Sequence, residues 1–182
     1  MNSTKRIPHI ATILAVGCMM LAACREVPVV EVEGTSDDQL KESLINANRY
    51  VIANEETRIN AYVERRGWDM VQLASGARVM KTGYGSDRAV EHGDTLAITY
   101  TVEDLGGSII YPKQSDTVVA GRLKPTRGLD AALQTLHYGD RARVVVPSEQ
   151  GYGVAGDGER IGSRTILVYD VEVTSMVKIK QK

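Results

Sequence analysis

Residues 141–173 read RARVVVPSEQGYGVAGDGERIGSRTILVYDVEV, two β-rich runs flanking a glycine-studded loop. The first run, Arg141 to Val146, ends at Pro147, and the second, Thr165 to Ser175, is dense in β-branched and aromatic residues that pack well on a pleated surface. Between them Gly151 and Gly153 flank Tyr152, and a large aromatic in such a loop has little packing reason, which marks Tyr152 as a ligand contact. Gly151 to Gly156 also spells GxGxxG, but the string follows a strand and opens no helix, so a dinucleotide site is excluded. Asp157-Gly158-Glu159-Arg160 has the charges of a solvated hairpin tip or loop, and no role attaches to it at this level.

The same texture extends backward through Ala77 to Lys81, Thr95 to Val102, Ser108 to Tyr111 and Thr117 to Ala120. One helical pattern interrupts it, from Thr126 to Leu136, with Leu129, Ala132, Leu133 and Leu136 on one face. Many strands and a single helix predict an α+β domain over residues 77–175, an antiparallel sheet wrapped on one central helix. Taken singly, Tyr100, Leu129 and Tyr169 read as core residues of such a domain.

A helical segment, residues 36–67, precedes it. Ser36-Asp37-Asp38-Gln39 forms a capping box, and its aspartates suit the positive end of a helix. Leu40, Leu44, Ala47 and Val51 follow at helical spacing, then Ile59, Tyr62 and Val63, with Gly67 as a stop after Arg65 and Arg66. The apolar phase shifts near Asn54, which leaves two helices or one kinked helix open. The stripe packs on its own domain or pairs with the same stripe of a second copy.

Residues 1–23 read as an export signal: Lys5 and Arg6 supply a basic start, and Ile10 to Leu21 is an uncharged apolar run of 12 residues. A membrane-crossing helix needs roughly 20. Leu21-Ala22-Ala23-Cys24 looks like the lipobox of bacterial lipoproteins, which implies lipidation of Cys24 and a mature chain of 159 residues with no other cysteine. Residues 24–35 then serve as a tether. The mature chain has 20 basic and 23 acidic residues, a formal charge of −3, which does not suit nucleic-acid binding. His9, His92 and His137 are isolated singles without Cys or Glu at ligand spacing, so no metal and no cofactor is expected.

Three ordered pieces resemble FKBP-type peptidyl-prolyl isomerase domains. Gly93-Asp94 and the strand ending in Tyr100-Thr101 are similar to the opening element, with Val102 where the family usually has glycine. Gly121, Arg127-Gly128-Leu129, Leu133, Leu136 and Gly139-Asp140-Arg141-Ala142 match the central helix and its flanking turns. Val146-Pro147, Gly151-Tyr152-Gly153, Ile161 and Leu167 to Val173 reproduce the last piece almost position for position. The likeness covers about 80 residues, Gly93 to Val173.

The resemblance implies a site with Tyr100, Tyr152 and Tyr169 in catalytic places and Ile110, Tyr111, Leu129 and Ile161 in substrate-binding ones. Ile110 stands where the family has phenylalanine, Tyr111 for the adjacent aspartate, Pro125-Thr126 for an aliphatic pair and Leu129 for tryptophan. Such a site needs no nucleophile. Rotation about a peptide bond meets a barrier of about 18–20 kcal/mol, and an apolar hollow with aimed hydrogen bonds favours the twisted bond.

The expectation is therefore an attenuated prolyl isomerase acting on unfolded or proline-containing polypeptides. It would sit in the cell envelope, held by its lipid on the periplasmic face or the cell surface. A protein-binding module that holds chains without isomerising them is the competing reading, and a scaffold component docked through Ser36 to Arg66 is a third. Several envelope members of the family have an N-terminal helical dimerisation region, so the resemblance also admits a homodimer through that helix.

Overall fold

The computed structural model describes residues 37–177; the expected signal, Cys24, the tether and Ser36 lie outside that range. Two compact units divide at Leu44 and Ile45, and of the first only residues 37–44 are described.

Helix α1, Asp37–Arg66, is continuous over 30 residues, which settles the choice between two helices and one. Asp37 and Asp38 lie in its first turn and Arg65 and Arg66 in its last, each sign matching the helix end it faces. Gly67 takes the left-handed backbone, φ 63°, and the Gly67 and Trp68 amides donate back to the Glu64 and Val63 carbonyls, closing the helix. Packing on its own domain holds for Ile59 and Tyr62, which are buried, whereas Leu40 and Leu44 are exposed.

From Ile45 onward the second unit is organised by one six-stranded antiparallel sheet in the order β1-β2-β5-β6-β3-β4. The strands are β1 (Val71–Gln72), β2 (Arg78–Gly83), β3 (Thr95–Asp104), β4 (Ile109–Val119), β5 (Arg141–Val146) and β6 (Leu167–Val177). Helix α2 (Arg127–Leu133) crosses one face. Alternation along β5 and β6 divides the core. Val144, Val146, Leu167 and Tyr169 join the α2 side, whereas Val145, Ile166 and Val168 pack against Ile59 and Tyr62 of α1.

The central helix is shorter than the pattern Thr126 to Leu136 predicts. Thr126 is its N-cap, its hydroxyl accepting from the Leu129 amide at 3.3 Å, and beyond Leu133 the chain tightens into turns that still bury Leu136. Gly128 lets α2 lie close to β5: a Cβ there would stand 2.5 Å from Val146 Cγ1. Ser108 to Tyr111 and Thr117 to Ala120 read as separate runs, yet β4 runs unbroken from Ile109 to Val119. Being an edge strand, it tolerates Pro112 and the polar stretch between them.

Candidate functional site

The site residues collect on the α2 side of the sheet, around β3, β4 and β6 and the loop from Pro147 to Ile166. Tyr100 lies opposite Val171 of β6 and Tyr169 opposite Val102 of β3, a diagonal placement that brings the two rings to 5.9 Å between centroids, tilted by 58°. Leu129, at 0% exposure, Tyr169, at 1%, and Ile161, at 4%, form a closed floor. Tyr100, Ile110, Tyr111 and Tyr152 pack against the same cluster from partly buried positions, so these present its open surface. All seven residues named from the sequence belong to one cluster, with Leu129, Ile161 and Tyr169 inside it.

A short 3-10 turn, Ser148–Gln150, leads into Tyr152. The Ser148 carbonyl accepts from the Gly151 amide at 3.0 Å and the Gly153 amide at 2.8 Å, and the Arg164 amide donates to Gly153 O at 2.8 Å. Gly153 adopts φ 62°, a conformation glycine reaches without steric cost. Tyr152 is thus held at both flanks.

The loop beyond it departs from the sequence reading. Asp157 is no idle tip residue. Its Oδ1 accepts from the amides of Glu159, Arg160 and Ile161 at 2.9, 3.0 and 2.8 Å, and its Oδ2 accepts from the Tyr111 hydroxyl at 2.5 Å. Arg160 donates to the Ile110 carbonyl at 3.3 Å and lies 5.4 Å from the Tyr111 ring centroid. The loop carrying Ile161 is therefore fastened to the start of β4. The sequence signal was an Asp two to four residues before amides needing acceptors, a common turn device.

Electrostatics keep the tyrosines as donors. Burial raises the Tyr100 and Tyr152 hydroxyls above the ordinary tyrosine value, and the Asp116 carboxylate pushes both further; Asp157 adds to Tyr152. Burial likewise raises Tyr169, with the Thr126 hydroxyl offsetting part of the effect. The hydrogen bond to Asp157 lifts Tyr111 to about 12. Burial alone would raise Asp157, but the Tyr111 hydroxyl and the loop amides lower it to about 2. At neutral pH the site offers neutral O–H groups that can donate to a peptide carbonyl. Asp116 and Asp157 are the neighbouring charges that sequence reading did not assign, while Thr126, read as half of the pair standing for the family's aliphatic residues, bonds the Tyr169 hydroxyl.

Of the three histidines, His9 lies outside the described residues. His137 Nδ1 stands 3.0 Å from Lys81 Nζ, and His92 lies against Gly121.

The sequence profile described as FKBP-type peptidyl-prolyl cis-trans isomerase matches residues 86–174. The macrophage infectivity potentiator of Trypanosoma cruzi is 31% identical over 143 residues, spanning 68% of this chain and 70% of that protein. Peptidyl-prolyl cis-trans isomerase FKBP9 of Homo sapiens is 32% identical over 90 residues, 47% of this chain and 16% of that much longer protein. Among solved structures, a peptidyl-prolyl cis-trans isomerase from Pseudomonas syringae superposes with a TM-score of 0.59 at 23% identity, covering 71% of this chain and 96% of that one. AtFKBP13 superposes at 0.54 with 17% identity, over 60% of this chain and 99% of its own.

Proposed function

We propose that this chain, which belongs to the FKBP-type peptidyl-prolyl cis-trans isomerase family, performs that isomerisation on exported polypeptides at an envelope membrane, at a rate lowered by its altered site. The observation that carries the reading is the cluster of Tyr100, Tyr152 and Tyr169 around an apolar floor. An X-Pro bond twisting there loses its amide resonance and much of its dipole, so it needs less solvation and suits the apolar floor. The Tyr152 hydroxyl, held on the loop, can donate to the substrate backbone and keep that bond over the floor. Stabilisation that is stronger for the twisted bond than for the planar one raises the rate.

Attenuation follows from the replaced positions. Ile110 and Leu129 supply aliphatic surface where the family has rings, which forgoes about 0.5–1.5 kcal/mol of aromatic contact at each. A protease-free prolyl isomerisation assay tests this. Wild type is expected to turn over slowly and Tyr152→Phe more slowly still; turnover at the uncatalysed rate at high protein concentration would end the enzyme reading.

The closed floor favours one other reading, a module that binds unfolded chains on Tyr100, Ile110 and Tyr111 without accelerating isomerisation. It predicts binding to unfolded protein that survives Tyr152→Phe.

Anchorage through a lipid on Cys24 is supported by Leu21-Ala22-Ala23-Cys24 and the apolar run before it. Cys24→Ser should move the protein from the membrane to the soluble fraction. A homodimer through α1 is supported by the exposed Leu40, Leu44 and Tyr50. Sedimentation of Leu44→Glu should then report a monomer where wild type reports a dimer.

A further inference from the structure

Helix α1 lies outside the segment that matches the family profile, yet it sends a carboxylate into the frame of the Tyr152 loop. Glu55 is 5% exposed. Its Oε2 accepts from the Ser148 amide at 2.9 Å and its Oε1 from the Ser148 hydroxyl at 2.6 Å, a contact that spans 93 residues of sequence. Among the described residues no lysine, arginine or histidine pairs with it, so these two donors are what hold the buried charge. Charge-assisted bonds of this kind are short and directional, and an unpaired carboxylate in this position would be costly.

Ser148 passes the constraint onward. Its carbonyl is the acceptor for both amides that flank Tyr152, those of Gly151 and Gly153. The side chain and amide of one residue are thus fixed by α1, while its carbonyl fixes the loop. The helix continues from Glu55 into Ile59 and Tyr62, which are locked in the second core against Val145 and Val168, so Glu55 sits on a rigid element.

We infer that Glu55 is a positioning residue for Tyr152: acting through Ser148, it sets where the tyrosine hydroxyl stands, and α1 is thereby part of the isomerase apparatus. The inference rests on Tyr152 as the substrate contact proposed above. A merely structural Glu55 would stabilise the fold without regard to what occupies position 152, and that difference is measurable. A displaced group costs rate steeply because productive geometry is narrow.

The experiment uses the full chain with Glu55→Ala, Glu55→Gln and Ser148→Ala, each made with Tyr152 and with Tyr152→Phe. Prolyl isomerisation is followed together with hydrogen exchange at the Gly151 and Gly153 amides. Glu55→Ala is expected to lower kcat/KM about tenfold, with Glu55→Gln recovering part because it still accepts one bond. In the Tyr152→Phe background the further loss should be under about twofold, since residues acting as one unit are not additive. Exchange at Gly151 and Gly153 should quicken while Val144 and Val146 stay protected. Unchanged kcat/KM with unchanged exchange in a folded Glu55→Ala would overturn the proposal, as would a loss that multiplies undiminished in the Tyr152→Phe background. If Glu55→Ala does not fold, Ser148→Ala removes only the hydroxyl bond and carries the same cycle. A wild type without catalysis would fail the enzyme reading alone, and the exchange measurement would still decide whether Glu55 holds the turn.

Discussion

Tyr111 and Asp157 meet across 46 residues, and neither announces the other. Read as a lone rim aromatic, Tyr111 offers a ring to a substrate; in the fold its hydroxyl is committed to the Asp157 carboxylate. Tyr111→Phe keeps the ring and frees the loop, so peptide affinity should fall a few-fold while global stability barely moves, because the pair is solvent-facing. Tyr111→Phe and Asp157→Ala should then be non-additive in KM. Additive losses would mean that the two side chains act apart. The pH dependence has a definite sign. Asp157 is depressed, so its contribution is present above the ordinary aspartate value of 3.8 and is lost as pH falls through about 2. Tyr111 is raised, so its contribution is present below the ordinary tyrosine value of 10.0 and is lost as pH rises through about 12. The isomerisation rate should therefore show no break from this pair between pH 4 and 10, bounds set by those ordinary values. What was legible at this scale were residues with a composition signal, the tyrosine between two glycines and the aromatics on strands. Glu55 carries none, and the local turn signal at Asp157 does not point to Tyr111, since an acidic residue on a helix or a loop reads as solvated until its distant partner is placed.

At the scale of elements, the runs around Tyr152 predicted β5 and β6 closely, because each is rich in β-branched residues, with Pro147 ending the first and Gly162 preceding the second. The two-residue β1 and the polar middle of β4 carry no such pattern; pairing with a neighbour creates them. Sheet order likewise comes from contacts, not composition. The closeness of α2 to β5 gives a sharp test. Gly128→Ala adds helix propensity worth about 1 kcal/mol, but it also drives a methyl into Val146, a buried branched side chain that cannot swing away. Overpacking of this kind costs about 1–3 kcal/mol and should win, so thermal unfolding is expected at lower temperature; a raised Tm would show that α2 lifts freely. Asp140 tests a junction between elements. Buried at 2% exposure, it accepts from the Gly85 amide at 2.7 Å and the His137 amide at 2.8 Å and pairs with Lys81 of β2 at 2.9 Å. Burial opposes ionisation here, yet the Lys81 ammonium and the two amides leave its pKa below the ordinary 3.8. Its stabilisation is present above that value and fades as pH falls below it toward the folded pKa. Asp140→Asn should unfold more readily than wild type at pH 7, with the gap narrowing in acid; a gap constant from pH 7 to 3 would assign the effect to packing.

For the molecule as a whole, the segment shared with the family, residues 86–174, has one sheet face that α1 covers. Val145, Ile166 and Val168 point to the side away from α2, and Ile59 and Tyr62 of α1 cover them, with Trp68 edge-on to Tyr62 at 5.5 Å. Arg78 of β2 is buried as well and gives its guanidinium to Glu56 at 2.7 Å and Asn60 at 2.6 Å, both on α1. Removing the helix therefore uncovers an apolar face and takes from Arg78 its acceptors on Glu56 and Asn60, leaving its guanidinium to water. Burial of an isoleucine or similar side chain contributes about 1.5–3 kcal/mol, and domains of this size are stable by only about 5–15 kcal/mol. A fragment of residues 68–182 should consequently show a much lower denaturation midpoint than the chain that keeps α1. Arg78→Met should destabilise the intact chain, where it deletes the bonds to Glu56 and Asn60, and should not stabilise the fragment, where that side chain faces water. Should the fragment unfold at the same denaturant concentration as the intact chain, α1 would be a spacer and the second core would have no weight in the fold.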